Sequence, residues 1–112
     1  MICVAGIEDF DKLDLRIGTI LSARAHPTAK KPAYQLEIDF GTLGIKWSSA
    51  QLTTLYAADD LVGLQIVAVT NFPPRKIGSF VSEVLVLGAL EDHDGVILLT
   101  TERPAAPGDR IG

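Results

Sequence analysis

The residues of this 112-residue chain with the clearest chemical potential lie in segment 71–82. Pro73 and Pro74 form a stiff turn that presents two adjacent cations, Arg75 and Lys76. Arginine offers a planar fork of donors and lysine a mobile point charge, so the pair is suited to gripping phosphate groups. Because prolines reduce the entropy lost on ordering a loop, we interpret this segment as a ligand-binding loop. The alternative is an ordinary solvated loop tip.

Several uncharged side chains around this loop are further candidate ligand contacts. Asn71 and Ser82 offer hydrogen bonds to phosphate or sugar oxygens, although a hydroxyl at a strand entry often bonds locally instead. Phe72 and Phe80 flank the loop, where they either stack on an unpaired base, receive an apolar peptide side chain or anchor the loop in the core. Glu83 has two possible roles, as a ligand contact or as a structural ion-pair partner of the neighbouring cations.

A second pair of cations, Lys30 and Lys31, lies in the turn-rich segment after His26-Pro27. Paired lysines in loops are common, so this pair carries weight only if the fold brings it close to the first one. Lys46 and Ser48 fall on one face of a short predicted strand and extend the candidate RNA-binding surface.

The elements that must position these side chains are mostly strands. Residues 33–40 give the clearest pattern, because apolar and polar side chains alternate along them. We place a bend or bulge at Gly18 and the side chain of Trp47 on the inner face of its strand. The predicted strands cover residues 14–25, 33–40, 45–49, 64–69, 82–89 and 96–99, with short helices at 6–13 and within 50–60.

The first five of these strands, three before a short helix and two after it, follow the layout of an OB-fold barrel, and 96–99 is a further strand. We therefore predict an all-β, five-stranded OB-fold barrel with a short N-terminal helix and a short helix between strands 3 and 4, as a single domain over residues 1–112. OB-folds bind oligonucleotides across strands 2 and 3 and through the loops that join strands 1–2 and 4–5. The two basic pairs occupy those two loops, so we expect them to converge.

The overall composition is not that of a strongly basic nucleic-acid binder, since the net charge is −4. Fields at physiological salt decay over about 8 Å, so a local basic patch survives on an acidic protein. A hydrophobic share of 47% is high for so small a domain: either the core is unusually rich, or part of the surface is buried against another subunit. The single Cys3 excludes an internal disulfide. Without a signal-like start or a membrane-length apolar run, we expect a cytoplasmic protein with no membrane insertion.

The motifs of catalytic sites are missing from the sequence. His26 and His93 lie far apart with no ligand-like spacing, so we expect no metal. There is no glycine-rich phosphate loop or nucleophile elbow. We therefore expect no cofactor and no enzymatic activity.

Three segments of the chain are similar to the tRNA-binding OB domain of EMAP-II-like proteins: Asp14–Ile20, His26–Tyr34 and Ile38–Gly41. More narrowly, Lys31–Tyr34, Ser48–Gln51, Asn71–Pro74 and Ser82-Glu83 resemble the CsaA-like family of secretion-related chaperones. The resemblance covers most of the chain, from about Phe10 to Ile111.

The resemblance implies an OB-fold, a stable homodimer, tRNA binding and binding of unfolded or presecretory polypeptides. Carried over by position, it implies RNA contacts by Lys30, Lys31, Asn71, Arg75, Lys76 and Ser82. The chain departs from the broader group at Val84-Leu85, where a Gly-Met pair is common. The leading prediction is a non-catalytic homodimeric module that binds tRNA through its basic loops and has CsaA-like, export-related chaperone activity. The alternative is a chaperone with little RNA binding that holds polypeptides, with Phe72 and Phe80 as peptide contacts. A third option is an interaction domain that only dimerises.

Overall fold

The structure is a computed structural model that describes residues 3–27, 29–90 and 95–112. Its elements in chain order are α1 (Ile7–Asp11), β1 (Leu15–Ala25), β2 (Tyr34–Asp39), a 3-10 turn (Gly41–Leu43), β3 (Ile45–Ala50), α2 (Ala58–Leu61), β4 (Gln65–Val69), β5 (Arg75–Ile77), β6 (Phe80–Ser82), β7 (Leu85–Val86), β8 (Gly88–Ala89) and β9 (Ile97–Leu98).

Five of these strands form one antiparallel sheet in the order β3-β2-β1-β4-β7. The sheet curls into a nearly closed barrel, with α1 before the first strand and α2 between β3 and β4. The predicted all-β, five-stranded OB-fold barrel with two short helices is therefore confirmed. Two small hairpins, β5–β6 and β8–β9, lie outside the main sheet.

The barrel interior is filled by the apolar half of the alternating pattern in β2. Leu36, Ile38 and the following Phe40 are completely buried, while Glu37 and Asp39 between them are partly exposed. Residues from the other strands and from α2 complete the core: Ile20, Leu52, Leu61, Ile66, Ala68, Val84 and Leu98. The strict period of two along β2 thus fixes which face of the sheet is buried.

The irregularity in β1 lies later than predicted. The pairing register of β1 with β2 shifts between Ile20 and Ser22, so the bulge is there and not at Gly18. Gly18 instead allows a close approach, because a Cβ on it would lie 2.5 Å from Cγ2 of Ile38 and 2.6 Å from Cε1 of Phe40. Glycine is required here by packing rather than by backbone conformation.

The free edge of β3 is covered by the segment that follows β6. The backbone N–H of Glu83 donates to the carbonyl of Trp47 at 2.8 Å, and the N–H of Trp47 donates to Oε1 of Glu83 at 3.1 Å. The predicted fifth strand over 82–89 is consequently interrupted, because its first residues cross over to β3 while β7 pairs with β4. This crossing nearly closes the barrel and leaves no long open edge at β3.

The C-terminal segment is hydrogen-bonded to the first half of β1. The N–H of Ile17 donates to the carbonyl of Asp109 at 2.8 Å, the N–H of Gly108 donates to Ile17 at 2.7 Å, and that of Ile111 donates to Leu15 at 2.9 Å. These hydrogen bonds fix residues 108–111 in an extended conformation alongside β1. In the part of the chain that the structure describes, no helix has the length and apolar character needed to cross a membrane.

Candidate nucleic-acid interface

The two pairs of cations line the same groove. The groove has a volume of about 720 Å³ and lies between the loop that joins β1 to β2 and the β5–β6 hairpin. Lys30 and Lys31 come from the loop, and Arg75 and Lys76 come from the hairpin, more than forty residues further along the chain. We call these four side chains the cationic rim. The convergence expected from the OB-fold order is therefore present in the structure.

The cationic rim is available to a ligand. All four of its residues are exposed, and among residues 3–27, 29–90 and 95–112 none of them forms an ion pair. Exposed cations without partners keep their full charge for an incoming anion, and their long side chains can adapt to it. The rim is thus an exposed cluster of four cations that takes no part in the ion pairs found among the described residues.

The floor of the groove differs in character from its rim. It is aliphatic and is formed mainly by Ile77, Leu85, Val86, Leu87, Leu90, Val96 and Leu98. Its described lining residues include no aromatic side chain, so the floor has no ring on which an unpaired base could stack. The groove therefore offers charge at its edges and aliphatic contact at its base.

Arg75 and Lys76 lie on a strand rather than in an open loop. β5 pairs with β6 so that Arg75 faces Ser82 and Lys76 faces Val81. The two-residue turn between the strands starts with Gly78 at φ 64°, the arrangement of a type II′ hairpin turn. The short, polar β5 gives no recognisable strand pattern in the sequence, which is why the prediction placed a loop here.

A set of buried and half-buried side chains, which we call the clamp, fixes this hairpin onto the outer face of the barrel. The clamp consists of His26, Ser49, Phe80 and Ser82. Oγ of Ser82 accepts a hydrogen bond from the N–H of Ser49 at 3.0 Å. The Phe80 ring packs edge-on against His26, with ring centroids 5.1 Å apart, and against Trp47 at 6.1 Å. The Ser49–Ser82 hydrogen bond joins the hairpin to β3, His26 contacts the carbonyl of Ile77 in the hairpin, and His26 and Ser49 contact each other.

Two predicted ligand contacts therefore belong to the clamp instead. Ser82 is only 9% exposed, and its hydroxyl oxygen is already occupied by Ser49. Phe80 is half-buried between two other rings, so it anchors the hairpin, whereas Phe72 is 43% exposed and stays accessible. Of the two phenylalanines considered for peptide contact, only Phe72 presents a free ring surface.

The side chain of Asn71 is also occupied by the protein itself. Its Oδ1 accepts from the N–H of Asp14 at 2.9 Å, and its Nδ2 donates to the carbonyl of Lys12 at 2.8 Å. Both polar atoms of the Asn71 side chain thus hold residues 12–14 against the start of segment 71–82. Asn71 thus has an anchoring role in the fold, and its contact with RNA stays a prediction.

The predicted contribution of β3 to the surface is changed as well. Ser48 is 1% exposed and donates to the carbonyl of Val84 at 2.9 Å, so its hydroxyl lies in the core. Lys46 pairs with the buried Ile38 and is not among the groove residues. The inner face of β3 carries Ser48, and Trp47 lies on the outer face with the Arg24 guanidinium 5.6 Å from its ring centre. The predicted position of Trp47 on the inner face is therefore wrong.

Glu83 has a structural role different from the expected ion pair. Its carboxylate accepts from the N–H of Trp47, and no ion pair to Arg75 or Lys76 is found within the described part of the chain. The residue that the sequence reasoning missed is His26, which was considered only as a metal ligand. A histidine directly before proline at a strand end was the available signal, since such a position is a fixed corner.

Asp14, directly before β1, is bonded to Arg16 in β1 and to Thr70 directly after β4. Its carboxylate accepts from Nε of Arg16 at 2.7 Å and from the hydroxyl of Thr70 at 2.8 Å. Partial burial raises the pKa of Asp14, but the hydrogen bonds from Thr70 and Arg16 and the charges of Arg16 and Arg110 outweigh it, so the pKa is lowered overall. Asp14 is therefore ionised at neutral pH and supports the anchor formed by Asn71.

Comparison with known protein families identifies the domain type. Residues 15–110 match the model of the family described as "Putative tRNA binding domain". A crystal structure of the chaperone CsaA from Bacillus anthracis str. Ames superposes with a TM-score of 0.93 at 50% identity, covering 98% of this chain and 100% of that one. The chain belongs to the CsaA-like family of tRNA-binding domains.

Two further relatives differ in how much of their own length the match covers. The CsaA chaperone protein from Picrophilus torridus superposes with a TM-score of 0.91 at 48% identity, covering 97% of this chain and all of that one. A methionine–tRNA ligase from Methanococcoides burtonii is 37% identical over 104 residues. That match covers 93% of this chain but only 15% of the ligase, so the chain spans a small part of such enzymes.

Proposed function

We propose that this protein binds tRNA through the cationic rim, without catalysis. The observation that carries the proposal is that Lys30 and Lys31 meet Arg75 and Lys76 around one groove although they are distant in the sequence. Four exposed cations with no described ion-pair partner provide an electrostatic surface that recognises backbone phosphates and not base identity. Membership of a family of tRNA-binding domains supports tRNA as the phosphate ligand.

The proposal is tested by the salt dependence of tRNA binding. For each phosphate neutralised, log affinity falls against log salt with a slope of about −0.7 to −0.9. Filter binding or gel shift at several salt concentrations should give a steep slope for the native protein, and Arg75→Ala with Lys76→Ala should reduce its magnitude by about 1.5. The loss should be similar for different tRNAs.

A matched control uses two cations outside the groove. Lys12 and Arg103 have side chains 76% and 81% exposed and lie away from the groove lining. The double variant Lys12→Ala with Arg103→Ala changes the net charge by the same amount and should leave the slope unchanged. If both double variants reduce the slope equally, binding depends on net charge alone and the proposed rim is refuted. Binding that does not depend on salt would refute it as well.

The second candidate function is a CsaA-like, export-related chaperone that holds unfolded or presecretory polypeptide. The aliphatic floor of the groove and the exposed ring of Phe72 favour it, because such surfaces accept apolar side chains. An RNA-free preparation should then suppress the aggregation of an unfolded client. Phe72→Ala should weaken peptide binding, and an unchanged affinity would exclude Phe72 as a peptide contact.

A homodimer in the cytoplasm is part of the same proposal. Val4 and Ile7 are exposed at 98% and 73%, and Ile97 and Leu99 at 45% each, which leaves apolar surface uncovered at the N-terminal segment and after Gly88. Pairing of two copies there would cover this surface and present two rims to one tRNA. Sedimentation at micromolar concentration should give a dimer, and a monomer would remove the enlarged binding surface.

A further inference from the structure

His26 occupies the junction between the two halves of the cationic rim. It follows the last residue of β1 and begins the loop that carries Lys30 and Lys31, and its N–H closes that loop by donating to the carbonyl of Ala33 at 2.9 Å. The residue is only 7% exposed. Its imidazole therefore belongs to the base of one cationic loop while it faces the other.

Both ring nitrogens of His26 are engaged. Nε2 lies 3.1 Å from the carbonyl oxygen of Ile77, and Nδ1 lies 2.9 Å from Oγ of Ser49. A carbonyl only accepts, so Nε2 carries the proton and donates to Ile77. In the neutral ring, Nδ1 then accepts from the Ser49 hydroxyl. The geometry thus assigns one tautomer and one orientation of the ring.

The hairpin that receives this bond depends on outside contacts. β5 and β6 are three residues each and form a separate two-stranded sheet, and an isolated hairpin of this kind is marginally stable in water. His26 bonds the residue next to Lys76 and packs against Phe80 on the opposite strand. One buried side chain therefore contacts both strands of the hairpin.

We propose that His26 is the positioning residue that fixes the separation between the Lys30-Lys31 pair and the Arg75-Lys76 pair. It touches no ligand itself and acts through the carbonyl of Ile77. This inference rests on the proposed function only for its consequence: if the rim binds tRNA, a fixed separation lowers the entropy lost when both loops engage the phosphates. The positioning role itself concerns the free protein.

Two substitutions separate this role from simple packing. In His26→Gln the side-chain amide reaches the position of Nε2 and can still donate to Ile77. In His26→Asn it reaches only the position of Nδ1, so the contact with Ser49 is kept and the bond to Ile77 is lost. Both remove the aromatic contact with Phe80 and leave a polar amide, so they form a matched pair that differs in the proposed contact.

The deciding measurement is the distance between the two loops. Spin labels on cysteines at Ala29 and Ser79, in a Cys3→Ser background, report this distance by pulsed electron resonance without any RNA. The native residue and His26→Gln should give a narrow distribution, and His26→Asn a clearly broader one, while thermal unfolding shows that all three are folded. A narrow distribution in folded His26→Asn would overturn the proposal, as would equal broadening in both variants.

The tRNA affinity then tests the consequence separately. We expect His26→Asn to lose about three- to tenfold in affinity and His26→Gln to recover most of it, the scale of one hydrogen bond. A broadened loop distance with unchanged tRNA affinity would overturn the link to binding. If the native protein binds no tRNA, the proposed function fails, and the loop-distance measurement still decides the role of His26.

Discussion

The cationic rim and three of the four clamp residues, His26, Phe80 and Ser82, lie within a few residues of each other along the chain, yet their environments are opposite. Lys30, Lys31, Arg75 and Lys76 are exposed and form no ion pair in the described segments. The clamp residues beneath them are buried or half-buried, and their polar atoms are hydrogen-bonded to other parts of the chain. The side chains that the sequence marks as candidate ligand contacts thus divide into exposed cations and residues that hold the hairpin against the barrel.

This contrast predicts that rim and clamp substitutions affect different measurements. Rim variants should change tRNA affinity and leave stability unchanged, because exposed charges contribute little to folding. Clamp variants should lower stability first. The following changes test this separation, from the largest expected effect to the smallest.

Replacing all four rim cations by alanine should have the largest effect. We expect tRNA affinity to fall by about 100-fold or more, since each charge-assisted contact contributes about 1 kcal/mol or more. The free energy of unfolding in urea should change by less than about 0.5 kcal/mol. A large loss of stability would show that the rim also supports the fold.

Phe80→Ala should destabilise the protein by about 2 kcal/mol, because it removes a half-buried ring between His26 and Trp47. The matched control is Phe72→Ala, whose ring is 43% exposed and should cost less than about 1 kcal/mol. Urea unfolding of both variants gives the comparison. Equal costs would mean that Phe80 has no special anchoring role.

Ser82→Ala should cost about 1–2 kcal/mol, since the N–H of Ser49 loses its acceptor in a largely buried position. Ser79→Ala removes an exposed hydroxyl in the turn of the same hairpin and serves as the control. Amide hydrogen exchange at Ser49 should accelerate in the first variant only. Unchanged protection at Ser49 would contradict the assigned hydrogen bond.

The smallest effect concerns Asp14 and pH. Its pKa is lowered in the folded state from an ordinary value of 3.8, so its contribution to stability is present above that value and is lost as pH falls through the lower, folded pKa. Asp14→Asn should therefore be less stable than the native protein at pH 7, and the difference should shrink in acid below about pH 4. A difference independent of pH would exclude the charge as its cause.

The sequence predicted the barrel well because its information is local and periodic. The alternation that ends at Phe40 identified β2 and its buried face correctly, and the spacing of turns gave the strand order. The same order placed the two cationic pairs in loops that converge, which the groove bears out. For these features, neighbouring residues are enough to determine the outcome.

The failures concern groups whose partners are distant in the sequence. Asn71 bonds to residues 57 and 59 positions away, and Ser82 to one 33 positions away, so their residue types alone could not separate anchoring from ligand binding. Trp47 was placed on the wrong face because the hairpin that covers it on the outside was read as a loop. The sequence patterns located these polar groups but did not show which partners form their hydrogen bonds.

The pairing of the C-terminal segment with β1 makes that strand the backbone neighbour of β2, β4 and residues 108–111 at once. Removal of those residues would expose the backbone N–H and C=O groups on one side of Leu15–Ile17. A strand of a second molecule would then find unpaired partners there. The tail thereby shields the protein from strand-to-strand self-association, a protective task independent of any nucleic acid bound on the groove side.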